Sequence, residues 1–209
     1  MARNLKARCA QCRREGEKLF LKGERCNTAK CGMIKRGYPP GVHGPKGKIR
    51  LTGYGTQLRE KQKTKHIYGI LERQFRNYFE KAIKKTGDTS EFLLQLLEMR
   101  FDNVIYRLGF GKSRQQARQL VGHGLFSVNG KKVTIPSYQV KIGDVISVKE
   151  NRAAKKVFQN LPQTLAKHEP PAWLALDAAK IEGKVTRKPT KDDVKTQFDL
   201  KMIIEFYSR

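Results

Sequence analysis

Four cysteines are the residues whose type and spacing most directly imply chemistry. Cys9 and Cys12 form a C-x2-C knuckle, and Cys26 and Cys31 follow after 13 residues as a C-x4-C pair. Two close pairs with a short loop between them suit four thiolates closing a tetrahedral site around Zn2+, each pair biting the ion and the loop held by it. The same ligands would accept an iron-sulfur cluster, although no neighbouring residue suggests redox chemistry. A third reading, four small buried hydrophobes, sits badly in a segment too polar to offer cysteine a core. With every position filled by thiolate, such a zinc is structural and leaves no opening for a catalytic water. The flanks carry Arg3, Lys6, Arg8, Arg13, Arg14, Lys18, Lys22 and Arg25, so the metal would shape a short, otherwise unfoldable segment into a basic platform.

The second set of candidates is cationic. Ser113 stands three residues before Gln116, a capping-box pair, and the helix it opens puts Ala117, Leu120 and Val121 on one side. On the other, Arg114 and Arg118 are i, i+4 neighbours on a polar arc with Gln115, Gln116 and Gln119. These two arginines lead the candidates for holding phosphate, followed by Arg100, Arg107, Lys112 and Gln115. His123 just after the helix, Arg73 and Arg76 upstream, and Tyr38 and His43 in a Gly/Pro-rich run complete the set. Overall charge indicates the partner. Lys and Arg number 44 against 19 acidic residues, a net +25 spread over nearly every segment. A compact chain so charged repels itself and is relieved by a polyanion, and phosphate is the one available at that density. No basic amphipathic helix has the broad apolar face of a membrane binder, no stretch is long enough to span a bilayer, and the N-terminus lacks the apolar core of a leader. A cytoplasmic location is the expectation, in keeping with thiols or metal instead of disulfides.

The elements that must position these groups follow from periodicity. Phe92, Leu93, Leu96, Leu97, Phe101, Val104, Ile105 and Leu108 make an i, i+3, i+4 stripe that predicts a helix stopped by Gly109, with Asp88 and Glu91 capping its start. After the Arg114 helix, Leu125 to Val128, Asn129-Gly130 and Lys131 to Ile135 predict a two-residue hairpin, and the Ile142-Gly143-Asp144 turn leads to a third strand over 145–148. Two helices on a three-strand sheet make a module near the lower limit for folding alone. Upstream, residues 36–55 read as a loop, either a solvated linker or an extended strand lying on RNA. Residues 57–67, "QLREKQKTKHI", are polar nearly all round and predict a helix lying against phosphate; over 72–85, Phe75, Tyr78, Phe79, Ala82 and Ile83 predict a core-facing one. Downstream, Val157, Phe158 and Leu161 suggest a short helix, "AWLALD" and "KVTRKP" short strands, and the apolar "KMIIEFYSR" a segment docking on the helical middle. The predicted class is α+β and multi-domain: a zinc-binding extension over 1–45, a basic helical domain over 46–98 completed by about 172–209, a small nucleic-acid-binding domain over 99–165, and a C-terminal segment over 166–209. An enzyme is excluded because no Gly-rich phosphate loop and no nucleophile-base pair accompany the singly scattered His43, His66, His123 and His168.

Two resemblances sharpen this reading. "RLGF", "SRQQARQLV", "HG", "VNG" and "IGD" resemble the S-four-type RNA-binding domain. Together with "YPPGVHG", "LREKQKTKHIYGILERQFRNYFEKA", "PAWLALD" and the final "IEFYSR", they resemble the bacterial form of the universal S-four family of small-subunit ribosomal proteins, from about Leu19 to Arg209. The resemblance implies a non-enzymatic primary binder of 16S rRNA at a multi-helix junction of the 5′ domain, which nucleates assembly of the 30S subunit. It also implies contact with ribosomal protein S-five and other small-subunit proteins, an influence on translational accuracy and, in some members, repression of the operon's own mRNA. It implies no membrane and no small-molecule substrate. A non-ribosomal RNA-binding regulator or translational repressor is the alternative. Many members lack the cysteine quartet, so zinc rests on Cys9, Cys12, Cys26 and Cys31 themselves. Gly122 stands where a basic residue is frequent in relatives, so no phosphate contact is carried over there.

Overall fold

The computed structural model describes residues 4–47, 50–148, 158, 161–194 and 197–209. Among them the α-helices are α1 (Arg8–Glu15), α2 (Gly32–Lys35), α3 (Gly53–Tyr68), α4 (Glu72–Ile83), α5 (Thr89–Glu98), α6 (Phe101–Arg107), α7 (Arg114–Gly122), α8 (Leu161–Leu165) and α9 (Leu200–Ser208). The strands are β1 (Phe126–Val128), β2 (Lys131–Lys132), β3 (Val145–Val148), β4 (Leu174–Asp177) and β5 (Glu182–Val185). The chain divides into two units, Met1–Leu93 with Thr196–Arg209, and Leu94–Lys195. Residues 1–45 thus share a unit with the helical segment and do not form one of their own.

In the first unit, α4 buries Phe75, Tyr78, Phe79 and Ala82 as its periodicity predicts, while Ile83 ends the stripe half exposed. The apolar C-terminus docks on the helical middle, α9 packing along α3. Asp199 caps α9 by accepting the Lys201 N–H, and its own N–H donates to Glu60 Oε2 at 3.0 Å. Ile203 is fully buried, Tyr207 stacks on Phe79 with centroids 4.7 Å apart, and Phe206 meets Tyr54 at 5.5 Å.

The polar helix α3 departs from expectation. Lys61 and Lys63 are buried instead of facing phosphate. Lys61 Nζ lies 2.7 Å from Glu72 Oε1 and over the Phe206 ring, and Lys63 Nζ is 2.7 Å from Glu60 Oε1 and 3.3 Å from Glu17 Oε2. Their stems pack as hydrocarbon while carboxylates from α3, α4 and the segment after α1 neutralise the heads, so a helix with few aliphatic residues becomes a core element. On its α1 side, Arg59 and His66 approach the buried Glu15 at 3.5 and 3.7 Å. Burial and the surrounding Lys65, Arg59, Arg8 and Lys6 hold the imidazole neutral, its pKa lowered to about 4. Burial also raises the Glu15 carboxyl, against Arg59, Arg14 and Lys63.

In the second unit the sheet is antiparallel with order β2-β1-β3-β5-β4. Five strands replace the three expected, because the β4-β5 hairpin adds to β3, and Trp173, Leu174 and Val185 join the core built by Val104, Ile105, Phe126 and Ile146. The stretch 166–209, read as one segment docking on the helical domain, therefore divides: its strands complete this sheet and only its final helix returns. Most of the suspected helix around Val157 lies outside the described residues; α8 covers its end. The hairpin turn has Asn129 and Gly130 at φ 49° and 77°. Asn129 is clamped from both sides, donating to Asp144 Oδ1 at 2.8 Å and accepting the Val145 N–H at 2.9 Å.

The apolar stripe predicted as one helix is two, α5 and α6. Arg100 is extended (φ −69°, ψ 137°) and pairs with Gln139 as an isolated bridge. Residues 136–140 supply the partners α6 needs: the Phe101 N–H donates to Tyr138 O and the Asp102 N–H to Pro136 O. Gly109, at φ 82°, terminates α6, and a Cβ there would stand 2.7 Å from the His168 ring.

Two predictions follow from this packing. A Cβ at Gly183 would stand 2.4 Å from Cδ1 of the fully buried Leu108, so Gly183→Ala is expected to destabilise the second unit by about 1–3 kcal/mol, read as a lowered unfolding midpoint. Burial pushes Glu72 up, but hydrogen bonds from Lys61, Lys65 and Tyr207 outweigh it and hold the carboxyl at about 2, against 4.5 ordinarily. Its contribution is therefore complete above pH 4.5 and lost as the pH falls towards 2. Since the side chain is 46% exposed, solvent screening limits this to about 1 kcal/mol; denaturant unfolding at pH 6 and pH 3 should show that extra loss in the wild type and not in Glu72→Gln.

Candidate nucleic-acid interface

The candidate surface is the polar side of α7, and two ion-pair networks reaching from α5 and α6 set its geometry. Ser113 caps α7 by accepting the Gln116 N–H at 3.2 Å, and the Gln116 side chain accepts the Lys112 N–H at 2.8 Å, so the capping residues read from sequence fix where the helix starts. Ala117, Leu120 and Val121 bury the opposite side against α6.

The first network centres on Asp102, whose carboxylate is buried. Arg100 grips it through Nε at 3.1 Å and an NH2 contact at 2.8 Å, and Arg118 donates to Oδ2 at 3.2 Å. The second centres on Glu98, also buried, which takes both prongs of Arg107 at 3.0 and 2.8 Å and the Asn103 amide at 2.8 Å. Asn103 in turn accepts Nε of Arg114 at 2.7 Å, and that guanidinium lies 4.6 Å over the Tyr106 ring. Such charge-assisted and stacked contacts fix planar guanidinium groups in ways a lysine could not reproduce.

Arg100 is thus a correction to the sequence reading: a fully buried guanidinium cannot reach phosphate, and its task is to hold Asp102. Arg107, Arg114 and Arg118 stay partly exposed, Lys112, Gln115 and His123 are exposed, and the structure gathers all of them on or beside α7. The sequence reading missed Lys131 and Lys132 on β2. Both are exposed, and Lys132 lies so close to Gly124 that a side chain there would collide with it, which puts a cation beside the end of α7. The signal was the pair of lysines directly after the Asn-Gly turn.

Arg73, Arg76, Tyr38 and His43 belong to the other unit. Arg73 and His43 are exposed, and Arg76 makes a solvated i, i+4 pair with Glu80 at 3.2 Å. Tyr38 lies under the Arg13 guanidinium at 4.8 Å, and its carbonyl accepts Arg13 Nε at 2.9 Å.

All four cysteines carry free thiols and line one pocket with Arg8, Lys22 and Arg25. Among the described residues no three His, Cys, Asp or Glu side chains are drawn into a metal-ligating group. The donor set nevertheless suits a thiophilic cation. Cys9 and Cys12 on α1 are brought to Cys31 beside α2 by Gly32, where a Cβ would stand 2.7 Å from that of Cys9, and Cys26 Sγ already accepts the Lys22 N–H at 3.4 Å. Burial raises the Cys12 thiol, the Leu19 N–H works against this, and the three neighbouring thiols add to it, a crowding of incipient negative charge that a bound cation relieves. No helix among the described residues is long and apolar enough to cross a membrane.

The ribosomal protein S4/S9 N-terminal domain matches residues 3–98, and the S4 domain matches residues 99–146. Small ribosomal subunit protein uS4 of Acetivibrio thermocellus is 54% identical over 209 residues, and that of Syntrophomonas wolfei 51% over 209; in each case the whole of both chains is covered. Small ribosomal subunit protein uS4A of Clostridium botulinum is 55% identical over 212 residues, again covering both chains completely. With two adjoining domains of one family spanning most of its length and relatives aligned end to end, the chain belongs to the uS4 family of small-ribosomal-subunit proteins.

Proposed function

We propose that this protein, a structural, non-enzymatic constituent of the small ribosomal subunit that binds rRNA, recognises a multi-helix junction in the 5′ domain of 16S rRNA and nucleates subunit assembly there. The observation that carries this reading is the α7 surface, where Arg114 and Arg118 are fixed by Asn103 and Asp102 beside exposed Lys112 and Lys132. A fixed array of guanidinium groups matches a particular phosphate geometry, which suits shape-based recognition, since side chains cannot read the deep, narrow major groove of A-form RNA. Counterion release supplies affinity, and the junction's shape supplies selectivity. Membership of the uS4 family supports a contact with ribosomal protein S-five that bears on accuracy and, as in some members, binding of the operon's own mRNA.

Cys9, Cys12, Cys26 and Cys31 are the residues that would hold a structural Zn2+. Supplied to this pocket, the ion ties α1, the following loop and α2 together without performing a reaction.

Equilibrium binding across a salt series tests the RNA reading. The protein is expected to prefer 5′-domain junction RNA at least tenfold over a plain duplex of equal length, with that ratio persisting as both affinities fall with salt; equal affinities collapsing together would mark a general polycation. For the metal, elemental analysis is expected to give one zinc per chain, released as the thiols are titrated with a mercurial. The double variant Cys9→Ser/Cys12→Ser should lose the zinc and the protease resistance of residues 1–45, whereas metal-free native protein with equal resistance would contradict the assignment.

A further inference from the structure

Within the Asp102 network, one buried guanidinium, Arg100, stands beside one buried carboxylate, and Arg118 approaches the same carboxylate from α7. The charges of the three sum to one positive charge. The side chain that carries it towards solvent is Arg118, 16% exposed, because Arg100 is fully enclosed. The companion network has the same form: Glu98 is matched by Arg107, and neutral Asn103 passes the constraint to Arg114. In both, an acidic residue sits under the basic surface at a place where net charge alone would argue against it.

We propose that Asp102 is a positioning residue for RNA binding: it fixes the orientation of the Arg118 guanidinium in the free protein, so that the phosphate meets an already ordered donor, while Arg100 cancels the negative charge that Asp102 would otherwise place beneath the site. The inference rests on the reading of α7 as an RNA-facing surface. Its physical basis is preorganisation. Immobilising a long, rotamer-rich side chain upon binding weakens association by about three- to tenfold, and a chain already held in place avoids that loss. A purely electrostatic account makes the opposite prediction, since removing Asp102 raises the net charge and should strengthen attachment to a polyanion.

The test compares affinity for the 5′-domain RNA at fixed salt among full-length variants. Arg118→Gln is expected to weaken binding; if it has no effect, the RNA reading of this residue fails, separately from the positioning claim. Asp102→Asn is expected to weaken binding about three- to tenfold despite the added positive charge, and to cause no further weakening in an Arg118→Gln background. Unchanged or tighter binding by Asp102→Asn, where Arg118→Gln weakens it, overturns the proposal. Because Asp102→Asn leaves Arg100 buried without its carboxylate, Arg100→Met/Asp102→Leu is the second variant: it keeps net charge constant, replaces the buried pair by apolar side chains, and is expected to weaken binding to the same extent. Wild-type protein provides an independent arm. The NMR signal of the Arg118 Nε–H should show hindered, ordered guanidinium motion without RNA, and a freely averaging signal would overturn the proposal without any variant having to fold.

Discussion

The constraint on which this structure depends is that 19 acidic residues must organise 44 basic ones. A carboxylate placed at random on such a surface would merely dilute attraction for phosphate. Here the carboxylates that matter hold basic side chains at junctions between elements: buried Glu15 between α1 and α3, half-exposed Glu72 between α3, α4 and α9, and buried Glu98 and Asp102 beneath α7. Buried charges like these are not by themselves a source of stability, because desolvation offsets much of the attraction. Their value lies in specificity. Each fixes which helix meets which, and the α7 pair also fixes the directions of surface guanidinium groups.

Much of the second unit was legible in the sequence because its signals are local. The Ser113-Gln116 capping pair, Gly109 as a stop, the Asn129-Gly130 turn and the strand at Val145–Val148 each depend on residues a few positions apart. The helix break at Arg100 was invisible for a definite reason. One extended residue interrupts the backbone without disturbing the apolar stripe, and the groups that compensate it, Pro136 O and Tyr138 O, lie more than thirty residues downstream. "AWLALD" contains β4, whereas "KVTRKP" shares only Lys184 and Val185 with β5, which begins at Glu182, and nothing in these residues states which edge the hairpin joins.

The same division applies to the site. Arg114 and Arg118 could be chosen from helix geometry alone, whereas the burial of Arg100 and the partners Asp102 and Asn103 depend on how α6 and α7 pack. The misreading of α3 is the most instructive. Its composition is that of a solvated or RNA-bound helix, and periodicity does not encode the pairing of Lys61 and Lys63 with carboxylates in other segments. Lysine stems are long enough to build a core when heads find acids, so polarity of sequence and exposure of structure part company there.

The return of α9 to α3 has a consequence for how the molecule is made. Synthesis runs from the N-terminus, so α1 to α4 emerge well before the helix that covers Phe75, Phe79 and Tyr54. The earlier part of the chain is thus completed only by a segment made more than a hundred residues later. A chain ended anywhere between α4 and α9 would present that aromatic patch uncovered, an exposed apolar surface prone to aggregation.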